Sequence, residues 1–145
     1  RLGIWDAGTG KLKRGLESPG SIRTMAVSRD GRKVVSGGGD YNAKDFRLAV
    51  WDLPQGRIFK FLEGHQKGVG ALDMDDEGRL AASAGDDRAI IIWDLEAGKR
   101  LSTLSGNKNA VLSLRLTRDG KKSCPARRTG PFEYGTCNTA ASWGF

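Results

Sequence analysis

The chain has few of the residues that build reactive centres or cross-links: its 145 residues include one histidine, two cysteines and four prolines. It also has no uninterrupted apolar run of about 18 residues, which excludes a membrane-spanning helix, and we expect no membrane partner. Both cysteines, Cys124 and Cys137, lie in the last 23 residues without the spacing of metal ligands, so they leave the compartment open. We expect an intracellular location, either cytoplasmic or nuclear.

Glycine is the residue in excess, with 21 copies, roughly twice the average usage. Hydrophobic residues make up 38% of the chain and charged residues 28%, which is typical of a folded domain. Many glycines between short apolar runs favour an all-β fold with tight hairpins.

The net charge of +7 raises the possibility of an anionic partner such as nucleic acid. The basic residues are, however, spread along the chain, and no block of five or six like charges appears. The densest group, Lys11, Lys13 and Arg14, lies inside a repeated segment. An evenly charged surface therefore explains the excess better than a nucleic-acid site does.

Internal repeats are the main signal of the sequence. Three Trp-Asp pairs occur at intervals of 46 and 42 residues: Trp5-Asp6, Trp51-Asp52 and Trp93-Asp94. Apolar residues stand one and three positions before each tryptophan, the alternation of a strand with one buried face. Glycine follows each tryptophan by five residues and leucine by eleven: Gly10, Gly56 and Gly98, then Leu16, Leu62 and Leu104. The glycines mark hairpin turns.

A second pattern recurs between the tryptophans. Three apolar triplets share their spacing: Ile22, Met25 and Val27; Val69, Leu72 and Met74; Val111, Leu114 and Leu116. A charged turn ending in glycine follows each triplet, at residues 29–31, 76–78 and 118–120. Each unit is therefore predicted to contain four short antiparallel strands. The second strand crosses 34–36 or 80–83, the third ends in Trp-Asp, and the fourth runs over 57–62 or 99–104.

These features resemble the WD-repeat β-propeller family, whose blades are four-stranded sheets repeating about every 40–45 residues. One repeat carries nearly the whole motif, with Gly64-His65, Ser83, Asp87 and Trp93-Asp94. The resemblance covers residues 1 to about 122 and implies an all-β fold of about three antiparallel, four-stranded propeller blades. We expect the end of one repeat at 1–17, a repeat with an enlarged loop at 18–62, the most complete repeat at 63–104 and the start of another at 105–122.

His65, Ser83 and Asp87 invite two interpretations. A Ser-His-Asp set can act as a hydrolase triad, but no Gly-x-Ser-x-Gly elbow surrounds Ser83. The family resemblance implies instead a buried hydrogen-bond chain that runs from the Trp93 indole through Ser83 and His65 to Asp87. In the preceding repeat only Ser36, Asp45 and Trp51 remain, since Ser18-Pro19 replaces Gly-His.

No cofactor or metal site is expected. Asp73 and the acidic residues after it resemble the start of a calcium loop, but Ala84 stands at the twelfth position, where a ligating glutamate would be needed. The run Ser36 to Gly39 lacks the Gly-Lys-Ser/Thr ending of a phosphate-binding loop.

The enlarged loop is the most individual feature of the repeats. From Ser36 to Trp51 is 15 residues, against 10 from Ser83 to Trp93. The additional residues fall around Asp40, Tyr41, Asn42 and Lys44, a composition that suits protein recognition, although a tolerated insertion explains it equally well. The resemblance implies that this loop shares a propeller face with the segment of His65.

The last 23 residues, 123–145, contain no Val, Ile, Leu or Met, whereas residues 1–122 contain 28. Three explanations stand open: out-of-frame translation or a misjoined exon, a divergent extension, or a rearranged strand region. The coding DNA distinguishes them.

A propeller blade is a scaffold and does not by itself define a function. We expect a non-enzymatic module that binds protein or peptide partners. The alternatives are a nucleic-acid- or chromatin-associated scaffold, and a regulatory or sensor propeller fused to a catalytic domain. Because closed propellers use four to eight blades, we expect a fragment of about half a propeller, which when expressed alone is unstable, self-associates or is completed by copies of itself.

Overall fold

A computed structural model describes residues 1–42, 44–105 and 107–116, together with the backbone of strands at 122–129, 133–134 and 141–142. The strands are β1 Leu2–Trp5, β2 Leu12–Leu16, β3 Ile22–Val27, β4 Lys33–Gly38, β5 Leu48–Asp52, β6 Arg57–Leu62, β7 Val69–Met74, β8 Leu80–Gly85, β9 Ile90–Asp94, β10 Lys99–Leu104, β11 Val111–Leu116, β12 Lys122–Thr129, β13 Glu133–Tyr134 and β14 Ala141–Ser142. The predicted all-β class is confirmed, and no helix of the described residues is long and apolar enough to cross a membrane.

The strands form successive antiparallel sheets in which neighbours in sequence are neighbours in space. β1 pairs with β2, β3–β6 form the first complete blade, and β7–β10 form the second. β11 and β12 lead a further sheet, to which β13 and β14 attach. The four strands predicted for each unit are confirmed in both complete blades. The predictions about the origin of residues 123–145 lie outside the described side chains and stay predictions.

The two blades share one register despite their different loops. In the first, Val34 pairs with Trp51, and in the second, Ala81 pairs with Trp93. The intervals are 17 and 12 residues, so all five additional residues lie between β4 and β5, outside the sheet. The enlarged loop therefore leaves the strand pairing of the first blade the same as that of the second.

The hairpin turn after each Trp-Asp pair is closed by its aspartate. Asp6 accepts hydrogen bonds from the backbone N–H groups of the next residues, and Asp52 and Asp94 do the same. The glycines predicted in these turns, Gly10, Gly56 and Gly98, have positive φ between 66° and 68°, a conformation that residues with a side chain rarely adopt. These aspartates therefore stabilise the hairpin turns.

Burial differs between repeat-equivalent positions. Leu72 and Met74 of β7 belong to one buried cluster with Ala26 and Val35 of the first blade. Met25 and Val27 occupy the equivalent positions of β3, yet 51% and 52% of their surface is exposed. The tryptophans differ in the same way, since Trp51 and Trp93 are each 1% exposed and Trp5 is 63% exposed. Burial therefore depends on which sheet stands next to each position.

This difference predicts unequal effects of matched substitutions. Leu72→Ala should lower the free energy of unfolding by about 2–5 kcal/mol, because it leaves a cavity between two blades. Met25→Ala, at the equivalent exposed position, should change it by less than about 0.5 kcal/mol. Urea denaturation followed by tryptophan fluorescence measures both. Equal losses for the two variants would contradict the burial described here.

Candidate functional site

A chain of hydrogen bonds crosses the second blade from its core to its outer loop. The indole N–H of Trp93 on β9 donates to the Ser83 hydroxyl on β8, at 2.7 Å. His65, in the connection between β6 and β7, holds Ser83 Oγ with Nε2 at 2.7 Å and Asp87 Oδ2 with Nδ1 at 2.8 Å. Asp87 also accepts the backbone N–H of Gln66 at 2.9 Å. The structure thus brings together the four residues singled out in this repeat.

The partners assign the protons. A carboxylate only accepts, so His65 Nδ1 carries the proton that faces Asp87. Nε2 then accepts a hydrogen bond from the Ser83 hydroxyl, and Ser83 Oγ accepts one from the Trp93 indole N–H. Each polar side-chain atom of this hydrogen-bond network therefore has a partner, as buried polar groups require.

The same distances would fit a Ser-His-Asp triad, so accessibility has to separate the two interpretations. Ser83 is completely buried, and its oxygen already accepts the Trp93 indole proton. The side chain of His65 has no exposed surface. A nucleophile needs room for a substrate carbonyl beside its oxygen. Ser83 has none, which supports the structural role implied by the sequence.

Removing the His65 side chain should show how much this hydrogen-bond network contributes to the free energy of unfolding. His65→Ala leaves Ser83 and Asp87 without a buried partner, and we expect the free energy of unfolding to fall by about 1–3 kcal/mol. Chemical denaturation measures the loss. Lys67→Ala, an exposed position two residues away, is the matched control. A His65→Ala protein as stable as the control would contradict a stabilising network.

Burial lowers the pKa of His65 below its ordinary value of 6.5, and the neighbouring Asp87 only partly opposes this effect. The unfolded chain therefore binds a proton at a higher pH than the folded chain does. Stability that depends on neutral His65 is complete above about pH 6.5 and is lost as the pH falls below that value.

We expect thermal stability to fall between pH 7.5 and pH 5.5. His65 is the only histidine of the chain, which makes this interval informative. Thermal denaturation followed by circular dichroism should show a lower Tm at the lower pH. In His65→Gln the difference should shrink. A wild-type Tm that rises on acidification would show that the sign of the linkage is wrong.

The first blade keeps the inner half of this chain and changes the outer half. Trp51 Nε1 donates to Ser36 Oγ at 2.8 Å, as Trp93 does to Ser83. The hydrogen bonds described for the Asp45 carboxylate join it to Arg47, with two guanidinium contacts of 2.9 Å. Asp45 also accepts the Arg47 backbone N–H, just as Asp87 accepts that of Ala89. Asp45 thus closes a turn like Asp87 but has an exposed arginine in place of the histidine, and Arg47 lowers its pKa.

The enlarged loop is a closed structure. Asp40 and Asp45 form a two-way backbone bridge of 2.8 and 3.0 Å across its base. Inside it, the Asp40 carboxylate accepts the Asn42 backbone N–H at 2.9 Å, and Lys44 has a positive φ of 53°. The predicted binding residues therefore lie on one short, internally bonded loop.

Tyr41 fastens this loop to the second blade. Its hydroxyl donates to Asp86 Oδ2 at 2.7 Å and accepts the Gly68 backbone N–H at 3.3 Å. Arg23 of β3 binds the same Asp86 oxygen at 2.9 Å. The Tyr41 hydrogen bond, followed by Arg23, lowers the pKa of Asp86. Phe46 packs edge-on against the Tyr41 ring, with 5.2 Å between centroids.

Sequence reasoning missed Asp86 and Arg23 as partners of Tyr41. Asp86 lies beside Asp87 in the turn between β8 and β9, but it is 45 residues from Tyr41 in sequence. No local pattern predicts that pair, because only the packing of one blade on the next brings it together.

An open cavity of about 630 Å³ separates the enlarged loop from the segment that carries His65. Lys44, Phe46 and Arg47 line one side, and Glu63 and Gln66 line the other. The expected neighbourhood of the loop and the His65 segment is therefore present. Among the described residues, no group of three His, Cys, Asp or Glu side chains could hold a metal ion.

The acidic segment that resembles a calcium loop has other partners. Asp75 accepts the backbone N–H groups of Arg79 and Leu80, which closes the turn between β7 and β8. Asp73 accepts the N–H of Leu116 from β11 at 2.8 Å. Asp75 therefore stabilises a turn, and Asp73 joins β7 to the next sheet.

Comparison with protein families agrees with this architecture. The model of the WD domain, G-beta repeat, matches residues 10–52 and 56–94, more than half of the chain. The chain belongs to the WD-repeat family.

A curated relative is similar over part of the chain. Autophagy-related protein 16 of Arabidopsis thaliana is 36% identical over 89 residues, which cover 60% of this chain and 16% of that protein. The matched region is thus a small share of the relative's length.

Proposed function

We propose that the chain is a non-enzymatic protein-interaction scaffold whose enlarged loop, with its described residues 39–42 and 44–47, forms part of the partner-binding surface. Membership of the WD-repeat family supports the general role. The observation that carries the specific proposal is Tyr41, which exposes 55% of its surface while its hydroxyl is held by Asp86.

An exposed aromatic side chain with a fixed position suits recognition. Tyrosine contributes strongly to protein interfaces because it offers a large apolar face and one polar atom. Ordering a flexible side chain costs free energy on binding, and the bonds to Asp86 and Gly68 reduce that cost beforehand. The adjoining cavity adds the exposed side chains of Lys44 and Gln66, which can pair with polar groups of a partner.

The relative's name assigns that protein to autophagy. We extend this to the present chain only as the proposal that its scaffold role is autophagy-related. The similarity covers 16% of the relative's length, so the role of the rest of the relative does not transfer.

The nucleic-acid alternative has less support from the described contacts. Arg14, Lys33 and Lys60 donate to backbone carbonyls of neighbouring turns. Arg23 and Arg47 pair with Asp86 and Asp45. These five of the 24 basic residues therefore have partners within the protein. Binding to a DNA duplex that weakens steeply between 50 and 200 mM salt would favour this alternative instead.

Selection from a displayed peptide library tests the proposed surface. The selected peptides that bind the loop surface should lose about tenfold in affinity with Tyr41→Ala, measured by fluorescence anisotropy, because the aromatic contact disappears. Tyr41→Phe should weaken binding less, since it removes only the hydroxyl. Trp5→Ala, which changes an exposed aromatic residue that belongs to neither the loop nor its cavity, is the control. Ligands that are all insensitive to Tyr41→Ala would refute the assignment.

A further inference from the structure

A groove lies between the two complete blades at the end opposite the enlarged loop. Its volume is about 580 Å³, which is large enough to receive side chains of a bound peptide. The first blade contributes the turn at 28–33, the turn at 52–55 and Phe59, and the second blade contributes Glu77 and Glu96. None of these residues belongs to the loop surface proposed above.

Phe59 forms the apolar wall of the groove. It lies on β6, the outermost strand of its blade, and exposes 54% of its surface. Lys60 Nζ stands 5.3 Å from the Phe59 ring centroid and donates to the Glu96 carbonyl at 3.1 Å. The lysine thus ties the two sides of the groove together. An exposed aromatic ring beside a cleft is an anchor for an apolar side chain.

The residues that line the groove have a net charge opposite in sign to that of the whole chain, with Lys60 as a cation at its edge. The chain has a net charge of +7, yet the lining contains more acids than bases. The acids are Asp30, Asp52, Glu77 and Glu96, and the bases are Arg32 and Lys33. Lys33 Nζ already donates to the Gly78 carbonyl at 2.7 Å, which ties its charge to the second blade. Glu77 is paired with Arg79, so Asp30, Asp52 and Glu96 are the acids left to attract a cation.

Two of these carboxylates are held in place. Asp30 Oδ1 accepts the Ser28 hydroxyl at 2.7 Å and the Arg32 backbone N–H at 3.0 Å. The Ser28 hydrogen bond, with that of Arg32, lowers the pKa of Asp30, so it stays ionised at neutral pH. Asp52 Oδ1 accepts the Gln55 backbone N–H at 3.0 Å. The negative charges therefore have fixed positions before a partner arrives.

We propose that this groove binds a short segment of a partner protein in which one apolar side chain is flanked by lysine or arginine. The apolar side chain packs on Phe59, and the flanking cations face Asp30, Asp52 and Glu96. The inference goes beyond the proposed scaffold role because it adds a second surface with its own specificity. Complementary charge also speeds encounter and excludes acidic competitors.

The same peptide library tests this proposal with different variants. We expect selected peptides to include a group with one apolar position between basic positions. Fluorescence anisotropy should show their affinity falling about tenfold with Phe59→Ala and, separately, with the double variant Asp30→Asn and Glu96→Gln. Raising the salt concentration should weaken binding, since the carboxylates are exposed to solvent.

Matched controls separate this surface from the other. Leu101→Ala changes the exposed residue of β10 at the position equivalent to Phe59, and Tyr41→Ala changes the loop surface. Neither should affect the basic peptides, and an unchanged Tm in each variant confirms folding. The proposal is overturned if no basic peptide is selected or if binding is insensitive to both groove variants. Self-association that Phe59→Ala abolishes would overturn it too, because a second copy would then be the occupant.

Discussion

The hydrogen bond from a buried tryptophan indole to a serine on the neighbouring strand is the constraint on which both complete blades depend. An indole N–H in an apolar core costs free energy unless it has an acceptor. Ser36 and Ser83 supply that acceptor at 2.8 and 2.7 Å. The bond joins the second and third strands of each blade, and these strands pair in the same register in both blades. Once that register is set, every turn and loop leaves the sheet at a defined place.

The blades then diverge outside the sheet. In the second blade His65 continues the buried chain to Asp87, so the outer loop is joined to the core by buried hydrogen bonds. In the first blade Asp45 has an exposed partner, Arg47, and the loop grows by five residues. That longer loop reaches across to the second blade through Tyr41 and Asp86. The first blade has thus exchanged a buried link within itself for a contact with its neighbour.

These differences divide the surface into two ends with different chemistry. One end has the loop, its anchored tyrosine and a cavity of mixed charge. The other has a groove with an aromatic wall and an acidic excess. Both lie beside contacts between blades, where side chains from separate repeats meet. A scaffold of nearly identical units can therefore present distinct sites, because each junction combines different loop residues.

The periodic part of the molecule was predictable from sequence. The spacing of Trp-Asp pairs, turn glycines and apolar triplets indicated the strands, their order and their turns, since each depends on residues close together in the chain. The four members of the chain from Trp93 to Asp87 were also predictable, but only through resemblance to a family. The partnership of Asp45 with Arg47 was not, because either a buried or an exposed partner satisfies a carboxylate.

Residues close together in the chain specify the secondary structure, the repeat and its family, because alternation and turn chemistry act over a few residues. Packing between the sheets makes Met25 exposed where Leu72 is buried, brings Tyr41 to Asp86, and places Phe59 beside an acidic groove. Each of these depends on which sheet packs against which, and residues about 40 or more positions apart meet there. Local patterns carry no record of that packing, and the surfaces available to partners follow from it.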